Sequence, residues 1–123
     1  MKAPPQQINS LLDFLITLAS ERAAIYAGAI PEFCDENIEI FDELDSMNAE
    51  EFAAIYTVYL LGSGAASLQH AQQLAFAARF TPLIPMSKDP NLHTMLSRGM
   101  ENRHYHELLS SLALNRTDLR QVD

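Results

Sequence analysis

Apolar residues recur three and four positions apart along most of the chain, the spacing that gathers them on one side of a helix, so the pattern predicts an all-helical protein. The most legible element is the run NAEEFAAIYTVYLLGSG, residues 48–64. Asn48 followed by Glu51 fits a capping pair, in which a side-chain oxygen accepts from a free amide of the first turn and the acid three residues on reaches back. The helix is therefore predicted to begin at Ala49. Phe52, Ile55, Tyr56, Tyr59 and Leu60 share one side, and Val58 and Leu61 widen it. So broad an apolar surface belongs at the centre of a bundle. Gly62 suits the left-handed residue that closes a helix, and Gly64 allows a second change of direction before Ser67 opens the next one.

The same spacing organises the rest. Ile8, Leu11, Leu12, Leu15, Leu18, Ala19, Ile25 and Tyr26 form a stripe over residues 6–27, with Asp13, Thr17, Glu21 and Ala24 opposite and Gly28 as the stop. Residues 32–44 carry a narrower stripe of Ile38, Phe41 and Leu44, with Cys34, in a short helix capped near Asp35. Residues 67–80 turn Leu68, Ala71, Leu74, Ala75 and Ala78 inward; small side chains let helix axes approach, so this helix is expected against the central one or the first. Three prolines exclude one continuous helix over residues 81–91, leaving a crossing anchored by Leu83, Ile84 and Met86. Asp89 and Pro90 then suit the cap and first position of a helix that Gly99 stops or bends. A last helix over 101–114 presents Tyr105, Leu108, Leu109 and Leu112, and residues 115–123 read as a frayed tail. The expectation is a single domain, residues 1–123, as a compact bundle of five or six helices with residues 49–61 central.

Charge narrows the partners. Between Arg22 and Arg79 there is no Lys or Arg, yet nine of the sixteen acids fall there: Glu32, Asp35, Glu36, Glu39, Asp42, Glu43, Asp45, Glu50 and Glu51. Such a face repels phosphate and anionic lipid, so direct contact with nucleic acid or a membrane surface is disfavoured and a basic partner is the permitted class. Glu36, Glu39 and Glu43 repel one another at helical spacing, which points to a cation nearby in the fold or in a partner. The apolar part of the uncharged run 52–78 ends at Leu61, short of a membrane span. Cys34 is the one cysteine and cannot form an internal disulfide; with no secretory leader either, the cytoplasm is the expected compartment.

Candidate chemistry is sparse. His93, Glu101 and His104 are the residues best spaced to share a metal ion, whereas His104 and His106, two apart, point in divergent directions. Acids surround Cys34 and argue against a nucleophile; Gly62-Ser63-Gly64 lacks the Lys-Ser/Thr of a phosphate loop and follows a helix rather than a strand. No catalytic residue and no cofactor are assigned.

Residues 47–64, MNAEEFAAIYTVYLLGSG, followed by FTPLIPMSKDPNLHTMLSRGME, combine an acid-started helix, a Leu-Gly-x-Gly corner, an alanine-rich helix, a Thr-Pro crossing and a helix closing with Leu-x-x-Gly. Over about Ser46 to Glu101 this resembles a small bacterial family of unknown function, domain of unknown function 3775. The resemblance implies a compact helical domain of bacterial type and carries no activity. The leading expectation is a non-enzymatic interaction protein that uses the acidic face, Glu32, Asp35, Glu36, Glu39, Asp42 and Glu43, against a basic protein surface, or that associates with a second copy of itself. The alternatives are a small-ligand or metal-binding domain near His93, Glu101 and His104, and an acidic mimic that occupies a nucleic-acid-binding protein.

Overall fold

The computed structural model describes residues 5–27, 29–65 and 67–112; Gly28 as a helix stop and the tail 115–123 lie outside the described residues. It is all-helical. In chain order the helices are α1 (Pro5–Tyr26), α2 (Asp35–Asp45), α3 (Ala49–Gly62), α4 (Leu68–Ala78), α5 (Leu83–Lys88) and α6 (Leu92–Glu101), with a further helical stretch, α7, over residues 104–112. None is long and apolar enough to cross a membrane among the described residues.

Helix α3 is the hub, packed most extensively on α6 and then on α4. Its start is as the sequence predicts. The Asn48 side chain accepts from the Glu51 amide at 2.8 Å, and the Glu51 carboxylate accepts from the Asn48 amide at 2.9 Å. Glu51 is itself buried, and the Gln7 side chain of α1 donates to its other oxygen, so the cap also ties α3 to α1. Phe52, Ile55, Val58 and Leu61 are buried, whereas Tyr56, Tyr59 and Leu60 are only half-buried.

The end of α3 differs from the sequence reading. Gly62 is still helical, and Gly64, at φ 107°, is the left-handed residue. The Gly64 amide donates to Leu61 O and the Ala65 amide to Leu60 O, the paired bonds of a Schellman closure. Gly62 serves packing instead: a Cβ there would lie 1.7 Å from the Met95 carbonyl oxygen. Gly99 answers from the other side. It does not stop α6, which runs on to Glu101, and a Cβ on it would lie 2.0 Å from Val58 O. The α3 and α6 backbones therefore touch at two glycines, and no side chain fits between them.

The prolines are accommodated by position. Pro82 precedes α5 and Pro85 lies in its first turn, where backbone N–H groups have no intrahelical acceptor, so the crossing holds a short helix that the sequence reading left out. Asp89 accepts from the Asn91 amide at 2.8 Å, but α6 starts two residues later than expected, at Leu92. Asn102 breaks the chain between α6 and α7 and accepts from the His104 amide at 2.9 Å. Tyr105 of α7 is buried and donates to Asn9 of α1. The central layer is filled by Ile8, Leu12 and Leu15 of α1, Ile40 and Leu44 of α2, and Leu92 and Leu96 of α6 around α3.

Candidate functional site

Two polar side chains occupy positions where apolar ones were expected. Arg22 continues the inner stripe of α1 after Leu18 and Ala19 and is completely buried, while Ile25, placed on that stripe by spacing, is 60% exposed. Asn37 takes the inner side of α2 with Ile40 and Leu44, which turns Ile38 out to 49% exposure. The two meet. One Arg22 terminal nitrogen donates to Asn37 Oδ1 at 2.7 Å and to the Ser87 carbonyl at 2.6 Å; the other donates to the Asp89 carbonyl. The Asn37 amide donates in turn to the carbonyls of Pro31 at 3.2 Å and Glu32 at 3.1 Å. Asn37, not a side chain near Asp35, thus organises the entry to α2, whose N-cap residue Cys34 makes no side-chain capping bond.

A buried guanidinium needs acceptors, and here its two terminal nitrogens find them mostly in backbone carbonyls, whereas Nε is buried without a partner. Burial lowers the Arg22 pKa from its ordinary value, opposed by the charges of Cys34, Asp89 and Glu36. Asp89 is held from two directions, by the Asn91 amide and by the Tyr59 hydroxyl, which donates to it. Burial, and then the bond to Asp89, push the Tyr59 hydroxyl well above the usual phenol range. The result is a hydrogen-bonded junction of α1, α2, α3 and the α5–α6 turn.

On its outer side that junction presents a surface with two chemistries. Phe33 is 84% exposed and Ile84 of α5 54% exposed; with Ile38 and the half-buried Phe41 they line a shallow hollow of about 210 Å³ between α2 and α5. The Glu32 carboxylate and Lys88 ammonium pair across its rim at 2.8 Å, which holds Glu32 below the usual carboxylate range. Helical spacing sets the remaining acids beside the hollow: Asp35, Glu39 and Asp42 form an exposed crest next to Ile38, and Glu36 and Glu43 occupy the far flank, half-buried. Glu36 is tied down. It accepts from the Tyr26 hydroxyl at 2.8 Å, its own backbone amide and then that bond keep its pKa low, and the bond pushes the Tyr26 hydroxyl up to about 12.

Of the six acids singled out in the sequence, two therefore have partners inside the chain, Glu32 with Lys88 and Glu36 with Tyr26, and four have no such hydrogen-bond or ion-pair partner among the described residues. The histidine group is not assembled in the same way. Among the described residues no three His, Cys, Asp or Glu side chains are grouped so as to hold a metal ion, and His93, Glu101 and His104 are not brought together. His104 Nδ1 lies 3.3 Å from the Glu107 carboxylate without hydrogen-bond alignment, and His93 Nδ1 is buried without a partner.

The exposed aromatic was missed by sequence reasoning, although a signal was present: Phe33 stands before the α2 N-cap, outside any helical stripe, with Pro31 two residues earlier. Comparison with protein-family models finds no match, and comparisons with curated proteins and with solved structures find no significant match either.

Proposed function

We propose that the protein is a non-enzymatic protein-interaction domain whose α2–α5 face docks a segment of a partner that is apolar on one side and basic along its edge. The observation that carries this reading is the exposure of Phe33, at 84%, next to a hydrogen-bonded junction and beside the acidic crest. Burying an aromatic or large aliphatic side chain contributes about 1.5–3 kcal/mol, so Phe33, Ile38 and Ile84 together make a plausible anchor for an interface. Asp35, Glu39 and Asp42 would steer a basic segment towards that anchor and set its orientation. The stretch without Lys or Arg between Arg22 and Arg79 fits the same partner class. The resemblance of residues 46–101 to a family of unknown function adds no activity to this reading.

The test is affinity capture from the native host followed by calorimetry with the captured partner. Binding should be lost in Phe33→Ser and Ile84→Ser, and should weaken steadily as salt rises. A partner that binds those variants as tightly as the parent, or that is indifferent to salt, would refute the assignment.

A further inference from the structure

Among α1 to α6, helix α4 packs on α3 and on no other helix to a comparable extent, and Leu108 and Leu112 of α7 flank it on one side. Phe76 projects from α4 at 81% exposure, beside Phe80 at 42%. A hollow lies on either side of the Phe76 ring. One, of about 230 Å³, is lined by Ala49 and Ala53 of α3 and edged by Arg79; the other, of about 240 Å³, shares Ala53, is walled by Leu108 and Leu112 of α7 and includes Glu50. A protruding ring thus stands beside one hollow floored by alanines and another walled by leucines of α7.

Two further observations say what fits there. Residues 52–78 hold no Asp, Glu, Lys or Arg, so in a chain of net charge −8 the part of the surface they supply brings little repulsion between two copies. Among the residues lining the two hollows, Glu50 is the one acid a basic partner could pair with. Moreover, Arg79 is held at φ 53° and ψ −118°, a backbone conformation in which glycine would be free of strain, and its side chain has no carboxylate partner among the described residues. The conformation sets a cation at one edge of the patch while Glu50 sets an anion at the other.

We propose that this face is a two-fold interface between copies of the chain. In an isologous contact, points on opposite sides of the axis meet, so a surface with Arg79 on one side of Phe76 and Glu50 on the other is self-complementary. With the axis running beside Phe76, the two rings pack against each other over the alanines between them, and the same rotation makes the Arg79–Glu50 pair twice. The surface is separate from the α2–α5 face, and its response to salt is different: an association led by aromatic burial survives salt that abolishes steering by the acidic crest.

Sedimentation of the full chain over micromolar to millimolar concentration tests this. A monomer–dimer equilibrium is expected, with the dissociation constant raised at least about tenfold in Phe76→Ser, while circular dichroism stays that of the parent because the ring is exposed. Glu50→Arg and Arg79→Glu should each weaken the dimer, and the two together should restore it. The proposal is overturned by a monomeric mass at every concentration, by a dimer indifferent to Phe76→Ser, or by a charge-swapped double variant weaker than either single one.

Discussion

The seam between α3 and α6 and the junction between α1, α2 and α5 solve the same problem by opposite means. At the first, two backbones are pressed together by the absence of side chains, with Gly62 against Met95 O and Gly99 against Val58 O. At the second, elements are held apart at side-chain distance and joined by one buried cation and the carbonyls it reaches. The tight seam has no room for chemistry. The polar junction is hydrogen-bonded without being closed, and so it can carry exposed aromatic and acidic groups on its outer side. Hydrogen-bonded support under an exposed apolar patch suits a docking surface, since it lessens the ordering left to be done on binding.

The contrast can be broken at the seam first. Gly62→Ala and Gly99→Ala should each destabilise the fold by about 3 kcal/mol or more, the upper end of overpacking costs, because the obstacle is backbone that cannot rotate away. Urea unfolding midpoints at constant slope would show it; a loss under about 1 kcal/mol would mean that α3 and α6 lie further apart than described. At the junction, Arg22→Met should cost about 2–3 kcal/mol, because it leaves Asn37 Oδ1 and the Ser87 carbonyl without the donor they share. Adding Asn37→Leu should cost less than the sum of the two single losses, since both belong to one network. Strict additivity would show that the clamp is not a unit.

A smaller effect is expected at the α3 cap, where Asn48→Ala should cost about 1 kcal/mol. Smaller still, Phe33→Ser should change stability by no more than about 0.5 kcal/mol, because an exposed ring contributes to partner binding and not to folding. The α1–α2 contact also has a pH signature. Glu36 keeps the Tyr26 proton in the folded protein up to about 12, whereas an unfolded chain releases it near the ordinary value of 10.0. That contribution is fully present below the unfolded value and is lost as pH rises through the folded one. Tyr26→Phe should flatten the alkaline limb of a stability-against-pH curve; an unchanged limb would show that the bond to Glu36 does not form in solution.

What could be read in advance was local. The Asn48–Glu51 cap lies within one turn, and Ser67, which accepts from the His70 amide, caps α4 in the same way. The outer row Asp13, Thr17, Glu21 and Ala24 is exposed as its spacing implied, and Ala71 and Ala75 are buried in a helix that packs on α3. What could not be read depended on a neighbour distant in the chain. Ile25 and Ile38 face solvent because Arg22 and Asn37 claimed the inner positions, and they did so because the 87–89 turn supplies carbonyl acceptors to Arg22.

By itself, then, the sequence determined the helical class, the central place of residues 49–61 and the separation of an acidic segment from an uncharged one, since periodicity, capping and charge act over a few residues. Only the tertiary structure decided that Gly62 and Gly99 serve a helix contact, that an arginine is core, and that Phe33 and Phe76 stand in water. Each of those outcomes is a property of two surfaces meeting, and a single stretch of chain does not contain the second surface.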